Sequence, residues 1–143
     1  MTHPHILLVE DNPQDELLIL RALRKVNVGN PVDVARDGQQ ALDYLFCEGE
    51  FATRAPVPPA VVMLDVNLPR IGGLEVLERI RADPRTSILP VVILTSSDEE
   101  RDRLRSYQSG ANSFVHKPLD FGDFAETVAR LGVYWVAINQ SPR

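Results

Sequence analysis

Residues 61–65 read Val61-Val62-Met63-Leu64-Asp65, four apolar residues closed by an acid. A run this short and this rich in β-branched residues fits a strand. Its unbroken apolar character fits a strand covered on both faces, as in the middle of a parallel sheet. The acid is the informative residue, because a carboxylate at the buried end of a strand is costly to desolvate unless something pairs with it. Working outward, similar runs recur at Ile6-Leu7-Leu8-Val9, Val32-Asp33-Val34-Ala35, Val91-Val92-Ile93-Leu94 and Ser113-Phe114-Val115.

Helical patterns fill the intervals. Pro13 to Val26 carries Leu17, Leu18, Leu20, Leu23 and Val26 at roughly helical spacing, with Asn12 as N-cap and Pro13 at the first helical position. Gly38 to Cys47 places Ala41, Leu42, Leu45 and Phe46 on one face, and Leu74 to Arg81 does the same with Leu74, Leu77 and Ile80. Asp98 opens a fourth, polar helix whose charge run Glu99-Glu100-Arg101-Asp102-Arg103 reads as a solvated face. Asp120 caps a fifth, with Phe121, Phe124, Val128 and Leu131 as its apolar stripe. Strand and helix thus alternate five times, which predicts an α/β fold with a parallel sheet, right-handed crossovers and helices on both faces. Glu48 to Pro59, containing Pro56, Pro58 and Pro59, is expected to be a long irregular loop. Gly132 to Arg143, with Tyr134, Trp135, Val136 and Ile138, is a short apolar tail rather than a second domain, so residues 1–143 are expected to form one domain.

Composition narrows the function classes. The chain has 143 residues, 44% of them apolar, and a net charge of -5. That length suits one core, and that charge argues against nucleic-acid binding, because a phosphate backbone would on average be repelled. A lone cysteine, Cys47, forms no internal disulfide and suits a reducing compartment. The first apolar run, Ile6 to Val9, is too short for a signal segment or a membrane span. A soluble cytoplasmic protein is expected.

In an open parallel sheet, ligands bind outside the carboxyl ends of the strands. Those ends carry Glu10-Asp11, Asp65, Thr95-Ser96 and His116-Lys117-Pro118. Three acids, hydroxyls and one lysine on one rim have a joint logic. Clustered carboxylates repel, a divalent cation such as Mg²⁺ relieves the repulsion, and Mg²⁺ takes oxygen ligands while keeping waters. The lysine supplies a positive point charge for an anionic group, and the hydroxyl a directional donor. Together they describe phosphoryl transfer to a carboxylate. Singly each has a plainer explanation. Glu10-Asp11 favours the N-terminus of the next helix through its dipole, threonine often ends strands, and lysine is usually a surface residue.

In this order and spacing, the segments Leu7-Leu8-Val9-Glu10-Asp11-Asn12, Leu64-Asp65-Val66-Asn67-Leu68-Pro69 with Gly72-Gly73, Leu94-Thr95-Ser96-Ser97, Gly110-Ala111 and Phe114-Val115-His116-Lys117-Pro118 resemble a response regulator receiver domain of the chemotaxis-regulator type. The resemblance spans about Ile6 to Leu131 and implies a doubly wound (βα)5 flavodoxin-like fold with strand order 2-1-3-4-5. It implies that Asp65 accepts a phosphoryl group from a histidine kinase. Asp11 would bind Mg²⁺ directly, Glu10 through water, and Asn67 through its backbone carbonyl. Lys117 would pair with Asp65 and then with the phosphoryl oxygens, and the Lys117-Pro118 bond would be cis. Thr95 would hydrogen-bond the phosphoryl group, and Phe114 would be the switch aromatic that follows it inward. Gly72 and Gly73 would shape the loop after Asp65, where a side chain would crowd the site.

A narrower likeness, to the single-domain regulators paired with bacterial phytochromes, rests on Glu48-Gly49-Glu50-Phe51, the proline-rich approach to the third strand, Asp83-Pro84-Arg85-Thr86 and Tyr134-Trp135. Ala60 departs from it, since such regulators often place another acid there. The likeness implies a phytochrome-type histidine kinase as partner and a homodimer through the fourth helix, fifth strand and fifth helix, extended by the tail. With no output domain evident, the output would be protein contact or phosphate relay. Three other classes fit less well. A phosphatase of the haloacid dehalogenase type needs a second Asp where Asn67 stands, a phosphate-independent module with this fold would lack one of the acidic, Thr or Lys positions, and a flavodoxin-like nucleotide binder needs a phosphate loop where Glu10-Asp11 stands.

Overall fold

A computed structural model describes residues 5–25, 30–66, 68–95, 110–111 and 113–116. Its element order is β1 (Ile6–Val9), α1 (Pro13–Lys25), β2 (Val32–Ala35), α2 (Gly38–Phe46), a 3-10 turn (Gly49–Phe51), β3 (Val61–Asp65), α3 (Gly73–Ala82), β4 (Val91–Thr95) and β5 (Ser113–His116). The described strands form one parallel sheet in the order β2-β1-β3-β4-β5, as the resemblance implies. The helices expected from Asp98 and Asp120, and the tail from Gly132, lie outside the described residues.

The apolar runs are continuous because both sheet faces are covered. Successive side chains point to opposite faces, and two apolar clusters follow. Leu7, Val9, Val62, Leu64, Val91 and Ile93 pack with α2 and α3 through Ala41, Leu42, Leu45, Val76, Leu77 and Ile80. Ile6, Leu8, Val61, Met63, Val92 and Leu94 pack with α1 through Ile19, Ala22 and Leu23.

Helix α1 starts where expected. Asn12 Oδ1 accepts from the N–H groups of Gln14 and Asp15 at 2.9 and 3.1 Å, satisfying donors that have no partner within the helix. Its buried stripe differs from the expected one. Ile19, Ala22 and Leu23 are buried, while Leu17 and Leu18 are 46% and 45% exposed. Four consecutive apolar residues, Leu17 to Leu20, made the face ambiguous, and the observed i, i+3, i+4 set resolves it.

Helix α2 is capped by Asp37, whose side chain accepts from Gln40 N–H at 2.8 Å, and it ends at Cys47 in a left-handed conformation (φ 54°). The segment expected as an irregular loop, Glu48 to Pro59, holds the 3-10 turn, and side chains tie it down. Phe51 meets Tyr44 edge to face at 5.3 Å between centroids. Arg54 lies 4.0 Å over the Tyr44 ring and donates to the carbonyls of Tyr44 and Val57. The α3–β4 connection is held similarly, with Arg81 donating to the carbonyls of Ser87, Leu89 and Gly110.

Candidate functional site

The three strand-end acids come together. Glu10 extends β1, its N–H donating to Ala35 C=O at 2.9 Å. Asp65 is the last residue of β3 and pairs with Leu94 of β4. Asp11 follows Glu10 at the start of the turn into α1. Carboxylate oxygens of Glu10, Asp11 and Asp65 all lie within 4.8 Å of one another. Glu10 is fully buried, Asp65 is 5% exposed, and Asp11 is open to solvent. Asn12 N–H donates to Glu10 Oε2 at 3.3 Å, which turns the buried carboxylate toward the start of α1.

Full charges 4–5 Å apart repel by roughly 3–4 kcal/mol at an effective dielectric of about 20. Three carboxylates at this spacing, two of them buried, form a set of hard oxygen donors suited to a small divalent cation. The donor chemistry therefore fits Mg²⁺ or Mn²⁺, with Glu10, Asp11 and Asp65 as the groups that would hold it.

The backbone after Asp65 is drawn in tightly. Val66 N–H donates to Leu94 C=O at 3.1 Å, and Gly73 N–H to Val66 C=O at 3.0 Å. A Cβ on Gly73 would stand 2.2 Å from Asp65 O, whereas one on Gly72 would meet nothing within 4 Å. The crowding expected of both glycines thus belongs to Gly73 alone.

Thr95 ends β4, opposite His116 of β5, and Phe114 lies opposite Ile93. Both backbones are on the strands where the sequence puts them, with Thr95 at the same sheet end as Asp65. Asn67 and Lys117 lie outside the described residues. The sequence did not signal the junction between α2 and the β3–α3 loop. Arg70 is left-handed (φ 68°), and its Nη1 lies 3.3 Å from Asp37 Oδ2. A Cβ on Gly38 would stand 2.0 Å from Ile71 O. These partners are more than thirty residues apart in the chain, so no local pattern reports them; the Asp37-Gly38 pair signals only a cap.

Away from this rim, Asp33 Oδ2 accepts from the Tyr44 hydroxyl, and His5 Nδ1 lies 2.7 Å from the same oxygen. Burial, reinforced by the Asp33 carboxylate, pushes the Tyr44 hydroxyl well above the usual phenol range.

Among the described residues, no helix is long and apolar enough to cross a membrane. Residues 6–129 match the family described as the response regulator receiver domain. The probable methanogenesis regulatory protein FilR2 of Methanothrix harundinacea (strain 6Ac) is 41% identical over 137 residues, covering 96% of this chain and 86% of that protein. The solved structure of the bacteriophytochrome response regulator RtBRR superposes with a TM-score of 0.87 at 47% identity, covering 99% of this chain and 85% of that one. The Mn²⁺-bound form of response regulator Rcp1 gives 0.79 at 31% identity, covering 98% and 99%. A parallel sheet in this order, an acidic cluster at its carboxyl rim and a family match over nearly the whole length lead to one assignment: the chain belongs to the response regulator receiver domain family.

Proposed function

We propose that Asp65 accepts a phosphoryl group from a histidine kinase, with Mg²⁺ at the acidic cluster, and that the chain works as one receiver unit with a core over about residues 5–131 and a tail over 132–143. The observation that carries this is the convergence of Glu10, Asp11 and Asp65 within 4.8 Å, with Asp65 nearly buried at its strand end.

In the transfer, an Asp65 carboxylate oxygen attacks phosphorus in line. The O–P bond forms as the N–P bond to the donor histidine breaks, and the imidazole nitrogen leaves with the electron pair and takes a proton. Asp11 and Asp65 would hold Mg²⁺ directly, Glu10 through water and Asn67 through its carbonyl, and the ion would supply positive charge for the phosphoryl oxygens. Lys117 pairs with those oxygens, and Thr95 donates to one of them. Thr95 leaves space that Phe114 enters, which changes the face made by the expected fourth helix, β5 and the expected fifth helix. That face and the tail form a homodimer, and the output is protein contact rather than turnover, direct DNA binding or membrane association. The net charge of -5 supports the exclusion of DNA, and the cytoplasm is the compartment. The likeness to the bacteriophytochrome response regulator RtBRR supports a phytochrome-type kinase as donor.

The test is incubation with Mg²⁺ and labelled acetyl phosphate. Wild type incorporates label, and Asp65→Asn incorporates none. Equal labelling of the two proteins sinks the proposal.

A further inference from the structure

The loop that follows Asp65 is anchored twice. Its near anchor is Gly73, whose N–H donates to Val66 C=O and whose Cα rests against Asp65 O. Its far anchor is the start of α2. Gly38 lets that helix press against Ile71 O, where a Cβ would come within 2.0 Å. Beside it, Arg70 reaches back to Asp37 at 3.3 Å. Asp37 divides its carboxylate between two tasks, since Oδ1 caps α2 through Gln40 N–H at 2.8 Å and Oδ2 receives Arg70.

Two features make this junction more than surface decoration. Arg70 holds a left-handed conformation (φ 68°), which disfavours any residue with a Cβ and persists only where surroundings impose it. Asp37 is nearly buried at 9% exposure, so its carboxylate is fixed, and a fixed partner makes a tether. The tether acts on the short loop whose other end is the backbone of Asp65.

We propose that the Asp37–Arg70 ion pair is a positioning device for the acidic cluster, a reading that rests on Asp65 being the Mg²⁺-dependent acceptor. The pair holds the β3–α3 loop so that the Asp65 carboxylate is pre-placed against Glu10 and Asp11 before the metal arrives. Without it the loop samples other placements, and only a fraction of molecules is ready for metal. Apparent metal affinity falls by that fraction, while saturating metal restores the competent state. The signature is a change in half-saturation without a change in maximal rate. An exposed ion pair biases such an equilibrium by about two- to fivefold.

The experiment measures, as Mg²⁺ is varied, the initial rate of Asp65 labelling by acetyl phosphate and, without phosphodonor, Mg²⁺ binding by calorimetry. The proteins are wild type, Arg70→Gly, Asp37→Asn and the double variant. Arg70→Gly removes the cation and suits the left-handed backbone but also loosens the loop, so its shift is read against that of Asp37→Asn. Asp37→Asn keeps an oxygen for the α2 cap and removes only the charge, so it remains folded and informative. Each single variant is expected to raise the half-saturating Mg²⁺ concentration about two- to fivefold, with the maximal rate unchanged, and the double variant to go no further than either. Unchanged half-saturation overturns the inference, as does a fall in maximal rate alone or an additive double variant. Asp65→Asn is run alongside. If it labels like wild type, the acceptor reading itself has failed; if it does not label and the ion-pair variants match wild type, only the inference has.

Discussion

At the amino-terminal rim of the sheet, Asp33 sits between His5 and Tyr44, and Asp83 beyond α3 is gripped by Arg85 at 2.8 Å. At the carboxyl-terminal rim, Glu10, Asp11 and Asp65 are gathered within 4.8 Å of one another. Both rims hold acids, arranged by opposite rules. An acid matched to a donor or cation ties elements together: Asp33 joins the approach to β1 with β2 and α2. Acids brought to one another repel even where each also has a donor, as Glu10 has Asn12 N–H, and the set gains the capacity to hold a cation. Asp37 sharpens the contrast, because it stands at the carboxyl rim yet is matched to Arg70, and it serves the loop rather than the cluster.

The largest expected effect separates the rims by sign. A hundredfold excess of Mg²⁺ over its Kd stabilises wild type by about 2.7 kcal/mol. Asp65→Asn abolishes most of that response and, in the metal-free protein, relieves the repulsion of Asp65 from Glu10 and Asp11. Asp33→Asn does the reverse, losing about 1–2 kcal/mol from its hydrogen bonds and keeping the Mg²⁺ response. Thermal melts with and without Mg²⁺ read all of these. Equal metal responses in Asp65→Asn and Asp33→Asn would erase the distinction.

A middle-sized effect concerns backbone. Gly73→Ala puts a Cβ 2.2 Å from Asp65 O and is expected to lose about 2 kcal/mol along with labelling. Gly72→Ala meets nothing within 4 Å. Its weaker helix cap and its stiffer unfolded chain offset each other to within about 0.5 kcal/mol. Denaturant melts of the pair test this, and equal losses would show that the close approach at Asp65 is unimportant.

How much of this was legible varies with the range of the interaction. The strands were legible because an apolar run between turn residues is local, and β1 and β2 fall at their expected bounds. The Asn12 cap and the strand-end acids were legible for the same reason. The stripe of α1 was not, since Leu17-Leu18-Ile19-Leu20 fits several faces until the sheet selects one. The 3-10 turn at Gly49–Phe51 was hidden by the prolines after it, because its support comes from the Tyr44 ring and from Arg54. The Arg70–Asp37 contact was invisible for want of any local pattern. Sequence thus exposes acids that share strand ends more readily than the tethers that aim them.

The smallest expected effect lies at the amino-terminal rim and is specific to pH. Burial and Asp33 raise the Tyr44 hydroxyl above the usual phenol range. A group whose folded pKa lies above its unfolded value contributes fully below the unfolded pKa and loses that contribution as pH rises past it. The unfolded phenol titrates near about 10. Wild type should therefore lose stability above that pH as the unfolded chain ionises Tyr44 and the folded chain does not. Tyr44→Phe lowers stability by about 1 kcal/mol at neutral pH, through the lost bond to Asp33, and its stability falls less steeply above about pH 10. Comparing urea midpoints of the two proteins at neutral pH and above pH 10 cancels the other titrating groups. A gap that narrows with pH supports a hydroxyl held neutral by burial and by Asp33, a constant gap means that the hydroxyl ionises alike in the folded and unfolded chain, and Mg²⁺-dependent labelling of Asp65 should be the same in both proteins.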